Sequence, residues 1–194
     1  MRMLIPSSAP DAGRRRMLQY LAAGPVLFAA GPLVRAHVPV PGAPDSPRVL
    51  SMLNTHTGER IRACYFEAGN YQPDVLGEFD HVLRDHRSGE VARMDPRLFD
   101  QLHALAALAG CKAHYEIISG YRSPATNEKL RKASTGVATR SLHMEGRAID
   151  VRLPGCPTSH LRDLALQLRA GGVGYYARSD FVHLDTGRVR SWTG

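Results

Sequence analysis

The sequence predicts an α+β fold, a single domain in which helices lie beside an antiparallel sheet. Three observations lead to this prediction. Helical patterns come mostly before the closing strands, and hairpin signals lie at residues 55–58 and 178–180. The chain has 194 residues, with 43% hydrophobic and 22% charged side chains. This ordinary globular composition excludes collagen-like, coiled-coil and wholly disordered proteins.

The first element is an N-terminal segment, residues 1–36, with the pattern of a twin-arginine-type export signal. Three arginines, Arg14–Arg16, precede an uncharged apolar run, Leu18–Val34, and the small residue Ala36 suits a cleavage site. The run is short for a spanning helix, which needs about 20 apolar residues. We therefore expect a periplasmic protein with no stable membrane insertion after signal cleavage. An uncleaved N-terminal anchor is the alternative.

The net charge of +7 is unevenly distributed along the chain. Residues 1–36 carry a net charge of +4, and the remaining 158 residues carry +3. A nucleic-acid-binding surface needs Lys and Arg clustered on the folded domain. We therefore expect no nucleic-acid partner. The sequence leaves the oligomeric state open.

A proline-rich linker, residues 37–47, follows the export signal. Arg48–Thr55 and Glu59–Glu67 are then two β-prone runs around a hairpin signal. Tyr71–Leu83 has the apolar spacing of a helix. These patterns predict a β-hairpin followed by a helix.

The next helix has clear start and stop signals. Asp95 is a good N-cap, Pro96 suits the first helical position and Gly110 follows the apolar face. The rest of the chain predicts a strand, a short helix, a polar loop, a strand, a helix and two final strands. They cover Tyr115–Ser119, Ser123–Ala133, 134–142, Ala148–Leu153, Thr158–Ala170, Val173–Ala177 and Phe181–Asp185. Thr158 or Ser159 is expected to cap the last helix.

Two of the nine histidines have acidic residues beside them in glycine-punctuated segments. His143 lies seven residues before Asp150, and Gly146 allows a tight turn between the two. His183 enters the last strand. Two imidazoles and one carboxylate are a common ligand set of catalytic zinc, which keeps a fourth position for water. These residues therefore predict a Zn²⁺ site.

A catalytic zinc site also needs a base that takes a proton from water. Asp180 lies three residues before His183 at a predicted hairpin turn, which can bring both side chains to one side. Glu145 is the alternative because it closely follows a metal-ligand candidate.

Three motifs, in this order, resemble the YcbK-like murein endopeptidase branch of the zinc peptidases that include D-Ala-D-Ala carboxypeptidases, VanX and the Hedgehog signalling domain. They are Ser-Gly-Tyr-Arg-Ser-Pro at 119–124, Ser-x-His-x-x-Gly-x-Ala-x-Asp at 141–150 and Asp-Phe-Val-His-Leu-Asp-Thr-Gly at 180–187. The resemblance covers residues 48–194 and implies a zinc peptidase domain there, a small antiparallel sheet with helices packed on it. It also implies that His143, Asp150 and His183 bind the zinc ion.

The resemblance implies roles for further side chains. The family has an acidic base three residues before the last histidine, often glutamate and here Asp180. Arg122 matches an arginine that would stabilise an oxyanion or bind a substrate carboxylate, with a structural ion pair as the alternative. Asn127 and Ser141 are candidates for polar lining of the site. Asp185 shares strand parity with the last histidine and is a candidate to hold that ligand.

The function implied by the resemblance is hydrolysis of peptide cross-links in peptidoglycan, specifically the 3–3 link between two meso-diaminopimelate residues. One alternative is a D-Ala-D-Ala carboxypeptidase or dipeptidase that uses the same site. Another is a non-catalytic, zinc-containing module that binds the cell wall. Three protein ligands favour catalysis, because closed structural zinc sites normally have four.

Overall fold

The computed structural model describes residues 46–133 and 137–194. The predicted export signal, residues 37–45 of the predicted linker and residues 134–136 of the predicted polar loop lie outside the described residues. Among the described residues, no helix is both long enough and apolar enough to cross a membrane.

The described residues form eight β-strands and four α-helices. In chain order they are β1 (Arg48–Asn54), β2 (Arg60–Glu67), β3 (Asn70–Tyr71), α1 (Pro73–Val82), α2 (Pro96–Leu108), β4 (His114–Ser119), α3 (Pro124–Ala133), β5 (Ala148–Arg152), α4 (Thr158–Leu168), β6 (Gly172–Tyr176), β7 (Phe181–Asp185) and β8 (Arg190–Thr193). A short 3₁₀ helix, Leu142–Glu145, precedes β5. Helices and strands are both present, as the α+β prediction requires.

The sheet is larger than predicted and is not purely antiparallel. Its strand order is β3-β2-β1-β4-β5-β7-β6-β8. β1 runs parallel to β4 and β6 runs parallel to β8, whereas the other neighbours are antiparallel. The first parallel pair arises because α1 and α2 form a crossover between its strands, as parallel pairing requires. β3 and β8, which were not predicted, have two and four residues, too few to show an alternating pattern.

The ends of α2 and α4 show where local sequence signals are sufficient to predict a helix boundary and where they are not. The Asp95 side chain accepts a hydrogen bond from the Arg97 backbone N–H at 3.1 Å, so the predicted cap of α2 is confirmed. For α4 the prediction is wrong: its N-cap position is Pro157, not one of the two hydroxyl residues that follow. The Thr158 hydroxyl makes a tertiary hydrogen bond instead. The helix ends at Leu168, two residues earlier than predicted.

The apolar core lies on the helix-covered face of the sheet. α1 packs on β2, α2 packs on β1 and on α4, and α4 packs on β6 and β7. The fully or almost fully buried core side chains include Leu50, Met52, Ile117, Ile149, Val151, Val182 and Leu184 from strands, and Leu98, Leu102, Leu105 and Leu161 from helices. Successive side chains of a strand point to opposite faces. Asp150 and His183, which alternate with core residues, therefore face away from the core.

Candidate metal centre

The three predicted ligand side chains meet at one point on the face of the sheet opposite the core. His143 Nε2 lies 3.3 Å from Asp150 Oδ1, which lies 2.8 Å from His183 Nδ1. The two imidazole nitrogens are 3.2 Å apart. All three residues are buried. These atoms form the triad, a group of three side chains that could hold a metal ion.

Local structure explains why the three side chains converge. Asp150 and His183 are direct partners in the β5·β7 ladder. His143 reaches them from the short 3₁₀ helix, which ends at Gly146 in a left-handed conformation with φ of 65°. A side chain at Gly146 would also overlap the backbone carbonyl of Arg93. Glycine at this position therefore permits both the turn and the close packing.

Hydrogen bonds outside the triad orient both imidazoles. His143 Nδ1 lies 2.7 Å from the carbonyl oxygen of Gly120, which can only accept, so this nitrogen carries the proton. His183 Nε2 lies 3.3 Å from Asp185 Oδ2. When only these outer nitrogens carry protons, as a bound cation would require, the lone pairs of His143 Nε2 and His183 Nδ1 point into the triad. Such outer partners fix the tautomer of metal-binding histidines.

Asp185 is fully buried and accepts hydrogen bonds from several groups besides His183. Its Oδ1 accepts from the backbone N–H groups of Gly172 at 2.9 Å and Gly187 at 2.8 Å. Its Oδ2 accepts from Arg190 at 2.6 Å. Burial works against ionisation, but these donors and His183 hold the pKa of Asp185 well below its usual range. The structure therefore places Asp185 behind His183, where the strand parity put it.

The triad fits a tetrahedral metal ion. A zinc ion with bonds of about 2.0–2.1 Å would place its ligand atoms about 3.3 Å apart. The three observed separations, 3.3, 2.8 and 3.2 Å, are close to one face of such a tetrahedron. Among the described residues, no fourth His, Cys, Asp or Glu joins the group. A tetrahedral ion held by these three atoms would thus have one position left for water or substrate.

The charges of the triad also suit a cation. Burial lowers the pKa of His143, which keeps this imidazole neutral. Burial opposes ionisation of Asp150, but the two histidines hold its pKa well below its usual range. For His183, burial lowers the pKa, yet hydrogen bonds with Asp150 and Asp185 raise it to about 9. A cation would therefore displace a proton from His183 on binding, as metals do at histidine ligands.

The triad opens into a cavity of about 430 Å³, which we name the triad cavity. Besides the triad, it is lined by Arg122, Val137, Ala138, Arg140, Ser141, Leu142, Tyr176, Phe181, Arg190 and Trp192. Arginines and aromatic rings thus surround the buried carboxylate. A volume of this size is typical of a ligand-binding pocket.

Arg122 lies in this cavity with spare hydrogen-bonding capacity. Its guanidinium is 3.9 Å from Asp150 Oδ2 and makes long hydrogen bonds, 3.4 Å to Asn127 Oδ1 and 3.5 Å to Ser119 Oγ. Its Nε is buried with no hydrogen-bond partner among the described residues. Burial lowers the pKa of Arg122. Arg122 and Asp150 thus form a long ion pair, and the other contacts of the guanidinium are also long.

The two residues predicted as polar lining lie beside Arg122. Ser141 is buried and lines the triad cavity. Asn127 is buried, donates from Nδ2 to the carbonyl of Ala138 at 3.1 Å and accepts from Arg122. Asn127 therefore supports the cavity wall from behind, whereas Ser141 forms part of it.

The structure does not bring either predicted base to the triad. The Asp180 carboxylate accepts a hydrogen bond from the Thr158 hydroxyl at 2.7 Å and lies 3.6 Å from Arg152. It does not line the triad cavity, because the β6–β7 turn directs it towards the start of α4. Glu145 is exposed and lies 3.0 Å from Arg147. Asp180 and Glu145 are thus close to the candidate ligands in sequence, but their carboxylates are not close to the triad in space.

Sequence reasoning missed most of the cavity wall. Tyr176 and Phe181 lie on either side of the turn between β6 and β7 and are direct partners in the β6·β7 ladder. Arg190 and Trp192 come from β8, which is too short to be predicted. The one available signal was that Trp192 is the single tryptophan of the chain. No local pattern singles out Arg140.

Comparison with known proteins identifies one family, by a family model and by individual relatives. Residues 43–192 match the family model described as Peptidoglycan L,D-endopeptidase MepK. The chain is 44% identical over 186 residues to the Peptidoglycan L,D-endopeptidase MepK of Escherichia coli (strain K12), and the same values apply to that of Shigella flexneri. In both cases the match covers 94% of this chain and 98% of the relative. It is 43% identical over 149 residues to the Probable peptidoglycan L,D-endopeptidase MepK of Haemophilus influenzae, over 76% of this chain and 80% of the relative. No solved structure matches the chain significantly.

Proposed function

The chain belongs to the family of peptidoglycan L,D-endopeptidase MepK, and we propose that it is a zinc-dependent endopeptidase that hydrolyses peptide cross-links of peptidoglycan in the periplasm. The family membership confirms the resemblance found in the three sequence motifs. We propose further that the bond cleaved is the 3–3 link between two meso-diaminopimelate residues. The mixed sheet would then be a variant of the Hedgehog and D-Ala-D-Ala peptidase fold.

The observation that carries this proposal is the triad, with its three donor atoms at the spacing of a tetrahedral metal face. We propose that His143, Asp150 and His183 hold a zinc ion. When bound there, zinc would supply Lewis acidity to the scissile carbonyl and to the attacking water. Asp150 contributes the negative charge of the ligand set. Asp185 keeps His183 in the tautomer that directs Nδ1 inward.

The arginine beside the triad is the proposed electrostatic group for the reaction. Arg122 has a buried N–H without a partner among the described residues, and its other contacts are long. A substrate oxygen that becomes negatively charged in the transition state would satisfy that donor. Donors already positioned for a developing oxyanion are among the largest contributors to catalysis of acyl transfer.

The proton of the attacking water needs an acceptor, and we retain the two predicted carboxylates as candidates. Asp180 would have to leave its hydrogen bond with Thr158, and Glu145 would have to leave Arg147. Both movements are feasible for exposed side chains, but the observed geometry favours neither. Substitution of Asp180 therefore tests this role directly.

The experiment that tests the proposal uses the purified full chain and cross-linked muropeptide dimers, with products identified by mass spectrometry. We expect dimers to be converted to monomers, conversion to stop with a chelator and to return with added zinc. The His183→Ala variant should lose zinc and activity, whereas His160→Ala, a matched change at an exposed position in α4, should keep both. Release of single D-Ala would instead identify a carboxypeptidase. A folded, zinc-loaded protein that leaves every muropeptide intact would indicate a binding module.

A further inference from the structure

An aromatic wall borders the triad on the side of the last hairpin and β8. Tyr176 and Phe181 are stacked, with ring centroids 4.5 Å apart and an interplanar angle of 16°. The Trp192 ring lies 5.1 Å from the His183 ring and packs directly over Gly174, where a side chain would overlap it. All three rings line the triad cavity. Their positions are therefore fixed by the sheet and not by flexible loops.

The Tyr176 hydroxyl accepts a hydrogen bond from within this wall. Trp192 Nε1 donates a hydrogen bond to the Tyr176 oxygen at 3.0 Å. An indole N–H can only donate, so the phenol oxygen is the acceptor and its own proton must point elsewhere. Among the described residues, no group accepts that proton. The hydroxyl thus keeps its own hydrogen free to donate to a molecule in the triad cavity, which Tyr176 lines.

A phenol hydroxyl can donate and accept hydrogen bonds at the same time. The Tyr176 hydroxyl that accepts from Trp192 can therefore also donate a hydrogen bond to a molecule in the triad cavity. Neutral donors that face the reacting atoms can stabilise negative charge that develops on a carbonyl oxygen.

We propose that the Tyr176 hydroxyl is a catalytic residue that donates a hydrogen bond to the carbonyl oxygen of the scissile peptide bond, and that Trp192 is the positioning residue that directs it. This inference rests on the proposed endopeptidase function. No proton is transferred in this step, since the hydroxyl keeps its hydrogen while the oxygen gains negative charge. Tyr176 and Arg122 would then contact the same oxygen.

The test compares Tyr176→Phe with Tyr175→Phe, a matched loss of one hydroxyl from the neighbouring position of β6. Tyr175 packs against the core on the other face of the sheet and does not line the triad cavity. Loss of one oxyanion donor should lower kcat on muropeptide dimers about 10²-fold, with KM changed less than about twofold. Tyr175→Phe should keep wild-type values. Trp192→Phe, which removes the indole N–H but keeps an aromatic ring, should fall between them.

Two further measurements separate catalysis from a merely structural role. A phosphinate peptide, which mimics the tetrahedral intermediate, should bind Tyr176→Phe more weakly by about the same factor as the loss of kcat, while zinc content and melting temperature stay unchanged. In the metal-free protein, fluorescence of the single tryptophan should change in Tyr176→Phe, because the indole N–H loses its acceptor, and should not change in Tyr175→Phe. Wild-type kcat in Tyr176→Phe would overturn the inference and leave the endopeptidase proposal intact. A wild-type protein that cleaves no muropeptide would instead overturn the proposed function.

Discussion

Replacing Asp185 with Asn should weaken zinc binding without changing any of the three proposed ligands. The backbone N–H groups of Gly172 and Gly187 can only donate, so the amide oxygen must take the place of Oδ1. The new NH₂ group then faces Arg190 and His183 Nε2, which both donate in the native protein. His183 can accept from this NH₂ group only if its proton moves to Nδ1, the nitrogen that faces the triad.

The expected losses of zinc affinity and of unfolding free energy follow from these contacts. Loss of a partner behind a metal-binding histidine typically costs 10- to 100-fold in metal affinity, about 1.4–2.7 kcal/mol. The metal-free protein should also lose about 1.5–3 kcal/mol of unfolding free energy, the contribution of hydrogen bonds to a charged group. The side chain of Arg190 is 33% exposed, so water can partly replace its lost partner.

Competition with a chromogenic zinc chelator measures the first effect, and urea denaturation of the metal-free protein measures the second. Asp163→Asn is the matched control because it removes one negative charge from an exposed position of α4. We expect it to leave the zinc dissociation constant unchanged. A zinc dissociation constant for Asp185→Asn within twofold of wild type would refute the tautomer argument.

Three further predictions follow from the geometry. Asp180→Ala should keep zinc but lower muropeptide turnover about 10²–10⁴-fold if its carboxylate is the general base; turnover within about twofold of wild type would show that it stays outside the triad cavity, where the structure places it. Gly146→Ala should lower the unfolding free energy by about 1–3 kcal/mol in a urea titration, because the new side chain would overlap Arg93. The control Gly77→Ala, which places a methyl group in open space inside a helix, should raise the unfolding free energy by about 0.5–1 kcal/mol in the same titration. Burial and nearby positive charge lower the pKa of His86 to about 4, so the unfolded chain binds more protons between pH 6.5 and 4. The melting temperature should therefore fall as the pH is lowered from 6.5 to 4, and the melting temperature of His86→Gln should fall less. An equal fall in both proteins would exclude His86 as the cause.

The elements of this protein that carry a strong local signal could be predicted from the sequence. The N-cap and the proline at the start of α2 lie within one helical turn of each other, and the alternating pattern of β7 is complete within five residues. The α4 start was wrong because the Thr158 hydroxyl is engaged by Asp180, which lies 22 residues away in the chain. The parallel pairs of the sheet were missed because strand direction depends on crossovers and not on the strands themselves.

The sequence by itself determined the ligand candidates of the metal centre. His143, Gly146 and Asp150 lie close together in the chain, and His183 lies on a predictable strand, so residue type and spacing were enough to nominate them. Motif similarity then indicated the family, and the comparisons confirmed it.

Only the tertiary structure decided what surrounds those ligands. The β5·β7 register sets Asp150 opposite His183, the turn before β7 carries Asp180 away, and β8 brings Trp192 to the cavity. The physical reason is that a hydrogen bond between distant strands leaves no local trace in the sequence. Candidate ligands can be nominated from residue chemistry, whereas the wall of the triad cavity depends on how the strands pair.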